Sequence, residues 1–590
     1  MKYIFTILFL TFCYSGVSAQ WQQTNGPEGG YTSHLRKVSD YLFVNGQQGG
    51  IYRSANGGMT WQEINKGLPV YPHCYYLTSY ENKLYASIYA NGIYFSDDLG
   101  ETWMPINNGI TAVTSYSLIA NGQDIYAGNS EGGFYYSSNH GETWFLHQGV
   151  LKNFSIRDFV TSGNKIFAAV NADVENTGVY VSENKGLNWT KLSLDVTNIN
   201  AMSGFDNALY VSDGSLKLSR DYGVTWESVS LGSGSYVMMA IHAIGNEVNI
   251  GASGKAIFYS DDEGGTWTSK LNTAPDNQHT SIYSEGDEFW LATTNGLVYS
   301  ADGGDNWDEI NQGLRNHVID YLKIDGDTLM AVTTNMGLFS SSDGGNIWSQ
   351  HSIGTRDWGM NVVSGIYIGD GYKLASTFAG LYRTHSLTKE WVPVILPDGN
   401  KLTGVLAGDN DKIVNYIHNE GVYTSPNGGE DWTFKPDELF VGRSVMCSAV
   451  KGDTIILGAI DGIFISTDFG DTWEQKTQAG FFLPHSIVFD GSSWFVVAAQ
   501  GVFRSVNRGQ TWSRIDDLPF GFGPEEMVID ENGTYFIGTQ SGVYISYNKG
   551  VNWYPMNTGL RSPVTALVFQ NDRLVCGTFG KSVWAIPSIN

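Results

Sequence analysis

Short runs in which apolar and polar residues alternate follow one another along the whole chain, and they come in groups of four. In one group Ser115 to Ala120, Asp124 to Gly128 and Gly133 to Ser137 each alternate, and a fourth run starts at Trp144. Alternation over four to six residues places one set of side chains on a buried face and the other toward solvent, the mark of a β-strand. Pairs such as Gly122-Gln123 and Asn82-Lys83 sit between the first two runs of a group and read as tight turns. Strand, turn, strand is therefore expected throughout.

The turn between the third and fourth strands carries its own signature, Ser-x-(Asp/Asn)-x-Gly-x-(Thr/Asn)-Trp, as in Ser96-Asp97-Asp98-Leu99-Gly100-Glu101-Thr102-Trp103. Its tryptophan falls at positions 61, 103, 144, 189, 226, 267, 307, 348, 432, 473, 512 and 553, with a spacing of 37 to 45 residues. The double-length gap between Trp348 and Trp432 holds a worn copy from Thr384 to Trp391. A period near 40 residues means a repeat architecture, in which each unit buries its faces only against its neighbours. The third position is Asp in six clear copies and Asn in six. Asn keeps the acceptor oxygen and loses the charge, so the box needs the oxygen for its turn and reads as structural.

This box resembles the Asp-box, or BNR, repeat of β-propellers. That family is found in sialidases, two-propeller xyloglucan hydrolases, sortilin-type receptors and photosystem II assembly-factor-like propellers. The resemblance covers essentially the whole chain after residue 19, and it implies the scaffold without implying one chemistry. The expected fold is all-β: two seven-bladed propellers built from about 14 four-stranded blades of about 41 residues, since one propeller ordinarily holds about 4–8 blades.

Residues 1–19 combine Lys2, an apolar run from Tyr3 to Tyr14 and Val17-Ser18-Ala19. That is the form of a secretory signal peptide cleaved near Ala19-Gln20, which would leave the protein secreted or periplasmic. The apolar run is short for a membrane span. The expected first propeller covers residues 20–305 and the second 306–590. Trp21-Gln22-Gln23 matches the residues that follow the box tryptophan elsewhere and reads as a lone outer strand, while Pro563 to Ile586 reads as three strands without a fourth. Two closures fit. Trp21 can complete residues 273–300, with the second propeller running from Trp307 to the end, or the two termini can meet, with the second propeller as an insertion.

Charge narrows the partners. Thirty-four Lys and Arg against 59 Asp and Glu give a net charge of −25, which disfavours nucleic acid and anionic membrane. Cys74, Cys447 and Cys576 are far apart and odd in number, so no disulfide framework is expected. The 11 histidines show no metal-ligand spacing, and Gly-x-Ser-x-Gly, His-Glu-x-x-His and Cys-x-x-Cys are missing. No cofactor or metal is expected, and the chain is read as a monomer.

In a propeller the connections from a fourth strand to the next first strand open on the face that ordinarily holds ligand. Most are short here, such as Asn107-Asn108-Gly109-Ile110 and Asn557-Thr558-Gly559-Leu560. Several in the second half are longer and richer in aromatic and acidic residues. They supply the candidate binding residues Arg356, Trp358, Phe440, Arg443, Phe482, His485, Phe520 and Phe522, with Asp357 as the one catalytic candidate. Exposed rings with carboxylates suit sugars or a protein surface. The sialidase Arg-Ile-Pro is absent, since Arg514-Ile515 is followed by Asp516, and no stretch matches the catalytic loops of the xyloglucan hydrolases. The sequence thus points to a secreted scaffold that holds a protein or glycan partner without catalysis. The alternatives are a glycoside hydrolase like the two-propeller xyloglucanases and an assembly factor for an exported complex.

Overall fold

The computed structural model describes residues 20–586 except 71, 112–114, 130, 148, 232–236, 254–255, 271–273, 275–277, 335, 352, 354–361, 386–389, 398, 400–403, 477–482, 516–522, 561 and 571. Residues 1–19, read from sequence as a signal peptide, lie outside the described residues. The chain forms fourteen four-stranded antiparallel sheets, and the helical pieces among the described residues are the 3-10 turns Gly149–Leu151 and Glu438–Phe440. In each blade the second strand is buried almost throughout, as in Lys83–Ile88, while the fourth is exposed, as in Met104–Pro105. The near-continuous apolar second strands follow from burial between two neighbouring blades.

Packing divides the blades into two closed rings. The described residues form fourteen apolar clusters, one per blade interface, and none joins one ring to the other. The first ring closes where Leu42, Val44 and Trp61 pack on Trp290, Leu297 and Ile310. The second closes where Ile319, Leu322 and Leu329 meet Ala566, Val575 and Val583. This is the two-times-seven propeller arrangement.

Gln22–Gln23 pairs with Val583–Ala585, so the two ends of the chain share one blade. The ring spanning residues 32–309 therefore lies between the outer strand of that blade and its other three. The seventh blade keeps its outer strand Asp308–Glu309, so the first ring extends a few residues past 305.

All twelve clear boxes share one geometry. The Ser hydroxyl donates to the Asx Oδ1, at 2.8 Å in the Asp98 copy and 2.9 Å in the Asn56 copy. The N–H of the box Gly donates to the Ser hydroxyl at 2.8 Å in both. Asp and Asn make the same bonds because the turn uses the oxygen as an acceptor and not the charge.

Most of the box tryptophans take one of two roles. Trp226, Trp267, Trp432, Trp473 and Trp512 donate their indole N–H to the carbonyl of their own box Gly. Trp61, Trp103 and Trp144 reach instead to the previous blade, to the carbonyls of Ile310, Ile64 and Ile106. Their blades follow a Trp-x-x-Ile-Asn-x-Gly run whose Asn65, Asn107 or Asn311 accepts a third-strand N–H at 2.7–2.8 Å. The short connections are thus blade-to-blade latches.

The contact between rings is polar. Asn316 donates to the Tyr31 carbonyl at 2.5 Å and Ser582 to the Pro27 carbonyl at 2.9 Å. Lys581, only 4% exposed, bonds the Gly49 carbonyl and the Glu63 carboxylate, both at 2.7 Å. Gly46 and Gly49 leave room here for Asn316, because a Cβ on either would lie 2.5 Å from its side-chain amide and force it to move.

Candidate functional site: the channel of the first ring

Inner strands line the centre of each ring, and nearly all of them break register near their start. In the first ring the shifts fall between Ser33 and Arg36, Cys74 and Tyr76, Ser115 and Leu118, Ile156 and Asp158, Met238 and Ala240, and His279 and Ser281. An extra residue in one strand re-aims the neighbouring side chains. His34 lies in such a break, with φ at +49°. The result is a cavity of about 590 Å³ in the first ring, whose polar lining includes His34, Arg36, Tyr76, Arg157, Asp158 and His242.

The centre of this lining is a pair. Tyr76 donates its hydroxyl to Asp158 Oδ1 at 2.6 Å, and the same oxygen accepts the Phe159 N–H at 2.8 Å. The His34 ring packs 4.0 Å from that of Tyr76, and its Nδ1 lies 3.0 Å from the Ser33 hydroxyl and 3.2 Å from Asn45 Oδ1. Arg36 donates to the Leu35 carbonyl at 3.0 Å and Arg157 to the Asn200 carbonyl at 3.2 Å. His242 packs against Tyr283, and its buried Nε2 has no hydrogen-bond partner among the described residues.

Burial sets the protonation. It pushes the Asp158 carboxyl up to about 6, against the hydrogen bonds from Tyr76 and Phe159 and the charges of Arg36 and Arg157. Burial, with Arg36 alongside, holds His34 down to about 3 and His242 to about 4. At neutral pH both imidazoles are uncharged, and two guanidinium groups face one carboxylate.

The second ring differs. Burial pushes Asp320 up to about 6, and Thr334 donates to it at 3.1 Å. Glu526 accepts the Leu567 N–H at 2.8 Å and is also raised by burial. His485 lies 2.5 Å from Glu525.

Among the residues proposed from sequence, Phe440 is a correction. It sits in the 3-10 turn Glu438–Phe440, capped by Asp437, and is 1% exposed between Tyr416, Phe464 and Trp473. Its apolar ring follows the core rather than the loop, so it presents nothing to a ligand. Arg443 is engaged within its blade, paired with Asp461, donating to the Leu439 carbonyl and lying over the Phe464 ring. His485 is half-buried beside Glu525. Arg356, Asp357, Trp358, Phe482, Phe520 and Phe522 lie outside the described residues. The first-ring cluster escaped notice because its members come from separate blades. Its one local signal is charge inside an inner strand, as in Ser33-His34-Leu35-Arg36-Lys37 and Arg157-Asp158.

Among the described residues no three of His, Cys, Asp or Glu gather as metal ligands, and no helix is long and apolar enough to cross a membrane. Cys74, Cys447 and Cys576 are buried and unpaired, and burial pushes all three thiols up.

The DUF6242 beta propeller domain family matches residues 18–159 and 246–358. No curated protein matches. The xyloglucanase of Xanthomonas campestris superposes with a TM-score of 0.71 at 15% identity, covering 96% of this chain and 99% of that one. A GH74 enzyme of Niastella koreensis gives 0.67 at 16%, with the same coverage. PorZ of Porphyromonas gingivalis, a surface component of the type-IX secretion system, gives 0.61 at 12%, covering 96% and 86%. The likeness is one of fold. It places the two-ring architecture beside enzymes and a secretion component alike.

Proposed function

We propose that this is a secreted, non-catalytic binding protein that holds a protein or glycan partner on the faces where its inner strands begin, with the first-ring channel as its pocket. One observation carries the reading. Among the described residues the channel lining holds a single carboxylate, Asp158, already bonded to Tyr76 and the Phe159 N–H and faced by Arg36 and Arg157. An inverting glycosidase needs two carboxyl groups about 6.5–9.5 Å apart across the sugar, one acid and one base. Asp158 has no such partner among the described residues of the lining. Binding sites of about 300–1,000 Å³ with a few fixed polar groups are the ordinary form of a small-ligand pocket.

A hydrolase is the competing reading, supported by the likeness to two GH74 enzymes over nearly their whole length. Its acid-range carboxyls would be Asp158 and Asp320, and each is already engaged by its own hydrogen-bond donor. The likeness to PorZ supports a scaffold role within an exported assembly, which is the protein-partner form of the same proposal.

The test is retardation of the purified mature protein in gels containing soluble polysaccharides, alongside capture of secreted proteins on the immobilised chain. Tyr76→Ala serves as the channel variant. Retention by the wild type that falls at least ten-fold in the variant supports the proposal. Retention unchanged in the variant places the contact elsewhere and overturns the pocket assignment.

A further inference from the structure

We propose that the first-ring channel binds a compact oxyanion-bearing ligand, its carboxylate or sulfate held between Arg36 and Arg157. This rests on the binding reading above and names the chemistry of the ligand.

The argument begins with charge. The chain carries −25 overall, yet the described lining of this cavity sets two arginines against one carboxylate. An excess of positive charge in a strongly acidic protein focuses anions toward one place. The position of Arg36 makes the excess central, since its charge acts on His34, Tyr76, Asp158 and His242, which stand on four different inner strands. Arg157 acts on Tyr31, His34, Tyr76 and Asp158 from the fourth blade. The two guanidinium groups therefore address one region of the channel.

Donor capacity points the same way. Each guanidinium carries five N–H groups suited to a planar oxyanion. Among the described residues Arg36 gives one to the Leu35 carbonyl and Arg157 one to the Asn200 carbonyl. The buried His242 Nε2 has no described partner. The single carboxylate is occupied by Tyr76 and the Phe159 N–H, so it does not neutralise both arginines. About 590 Å³ admits more than an isolated ion, and the lining includes Tyr31, Tyr75 and Tyr76, which give the wall an apolar as well as a polar part, as the body of an acidic sugar requires.

Calorimetric titration tests this with sodium sulfate, galacturonate and digalacturonate, and with galactose as the neutral control. Four proteins are compared: wild type, Arg36→Gln, Arg157→Gln and Asp158→Asn, each checked for folding by its melting temperature. The expected result is saturable binding of the anions, weakened at least ten-fold in each arginine variant. Asp158→Asn should tighten binding several-fold, because it removes the opposing charge and leaves Tyr76 an acceptor. Arg157 is exposed, so its variant tests the site even where Arg36→Gln disturbs folding. Tighter binding of digalacturonate than of sulfate assigns the site to an acidic sugar, and equal binding assigns it to the oxyanion alone. No saturable anion binding, or equal affinity in all four proteins, overturns the proposal. Binding of galactose in the channel without the anions would overturn it while leaving the binding function standing.

Discussion

The indole nitrogen of Trp21 donates to the carbonyl oxygen of Met556 at 2.5 Å, across 535 positions of sequence. The Trp21 backbone N–H also donates, to Thr558 at 2.9 Å, and the ring is 2% exposed in the cluster that joins the last two blades. This is the latch that Trp61, Trp103 and Trp144 make in the first ring, used here to hold the shared blade. Trp21→Ala should cost about 3–5 kcal/mol, the usual loss for a buried large aromatic. Because each blade packs only on its neighbours, amide exchange should accelerate in residues 535–585 while 74–260 stay protected. Equal acceleration in both rings would show that the rings unfold as one.

The latch also depends on a glycine. Gly109 has φ +99°, and a Cβ there would lie 2.2 Å from the Trp144 carbonyl oxygen, which is backbone and has nowhere to go. Gly109→Ala should lower stability by about 3 kcal/mol or more, as a clash added to a left-handed backbone. Gly122, at φ +65° with nothing within 4 Å, is the control. Gly122→Ala should cost only the left-handed penalty of about 1–2 kcal/mol. Urea titrations of the two variants separate the terms.

Much of this was legible in the sequence. Alternation and the tryptophan period fixed the blades, and the likeness of Trp21-Gln22-Gln23 to the residues after each box tryptophan marked the lone outer strand that pairs with Val583–Ala585. The function of the short connections was not legible, because Asn107 and Gly109 look like ordinary turn residues until the next blade is placed against them. Phe440 misled for the opposite reason: its neighbours Asp437 and Glu438 are polar, while a single capped turn drives the ring inward. The channel was hidden because Arg36, Tyr76, Asp158 and His242 meet only when the ring closes.

Titration of the boxes follows from their hydrogen bonds. In the Asp262 copy the Thr266 N–H, then the Ser260 and Thr266 hydroxyls, hold the carboxyl down to about 2. A pKa depressed in the fold contributes stability above the ordinary carboxylate value, and that stability is lost as pH falls toward 2. Asp262→Asn keeps the acceptor but not the charge. It should lower the melting temperature slightly at pH 7 and leave it unchanged near pH 2. An equal loss at both pH values would mean that shape, and not the carboxylate, carries the difference.

Asp158 should behave in the opposite sense. Burial lifts its carboxyl to about 6, so the fold prefers the neutral acid, and the stability this gives is complete below the ordinary value of 3.8 and lost as pH rises through 6. Asp158→Asn should therefore raise the melting temperature at pH 7.5 and have little effect at pH 3.5. A variant less stable than wild type at pH 7.5 would mean that the ionised carboxylate stabilises the channel through Arg36 and Arg157.

The central claim is that this two-ring chain binds without cutting. Its most direct test is release of reducing ends by the purified protein on a panel of plant and microbial polysaccharides, with Asp158→Asn, Asp320→Asn and Asp357→Asn in parallel. The account predicts no release above the protein-free control from any of the four proteins. Steady release by the wild type that disappears in one of the carboxylate variants would contradict it and make the protein a glycosidase.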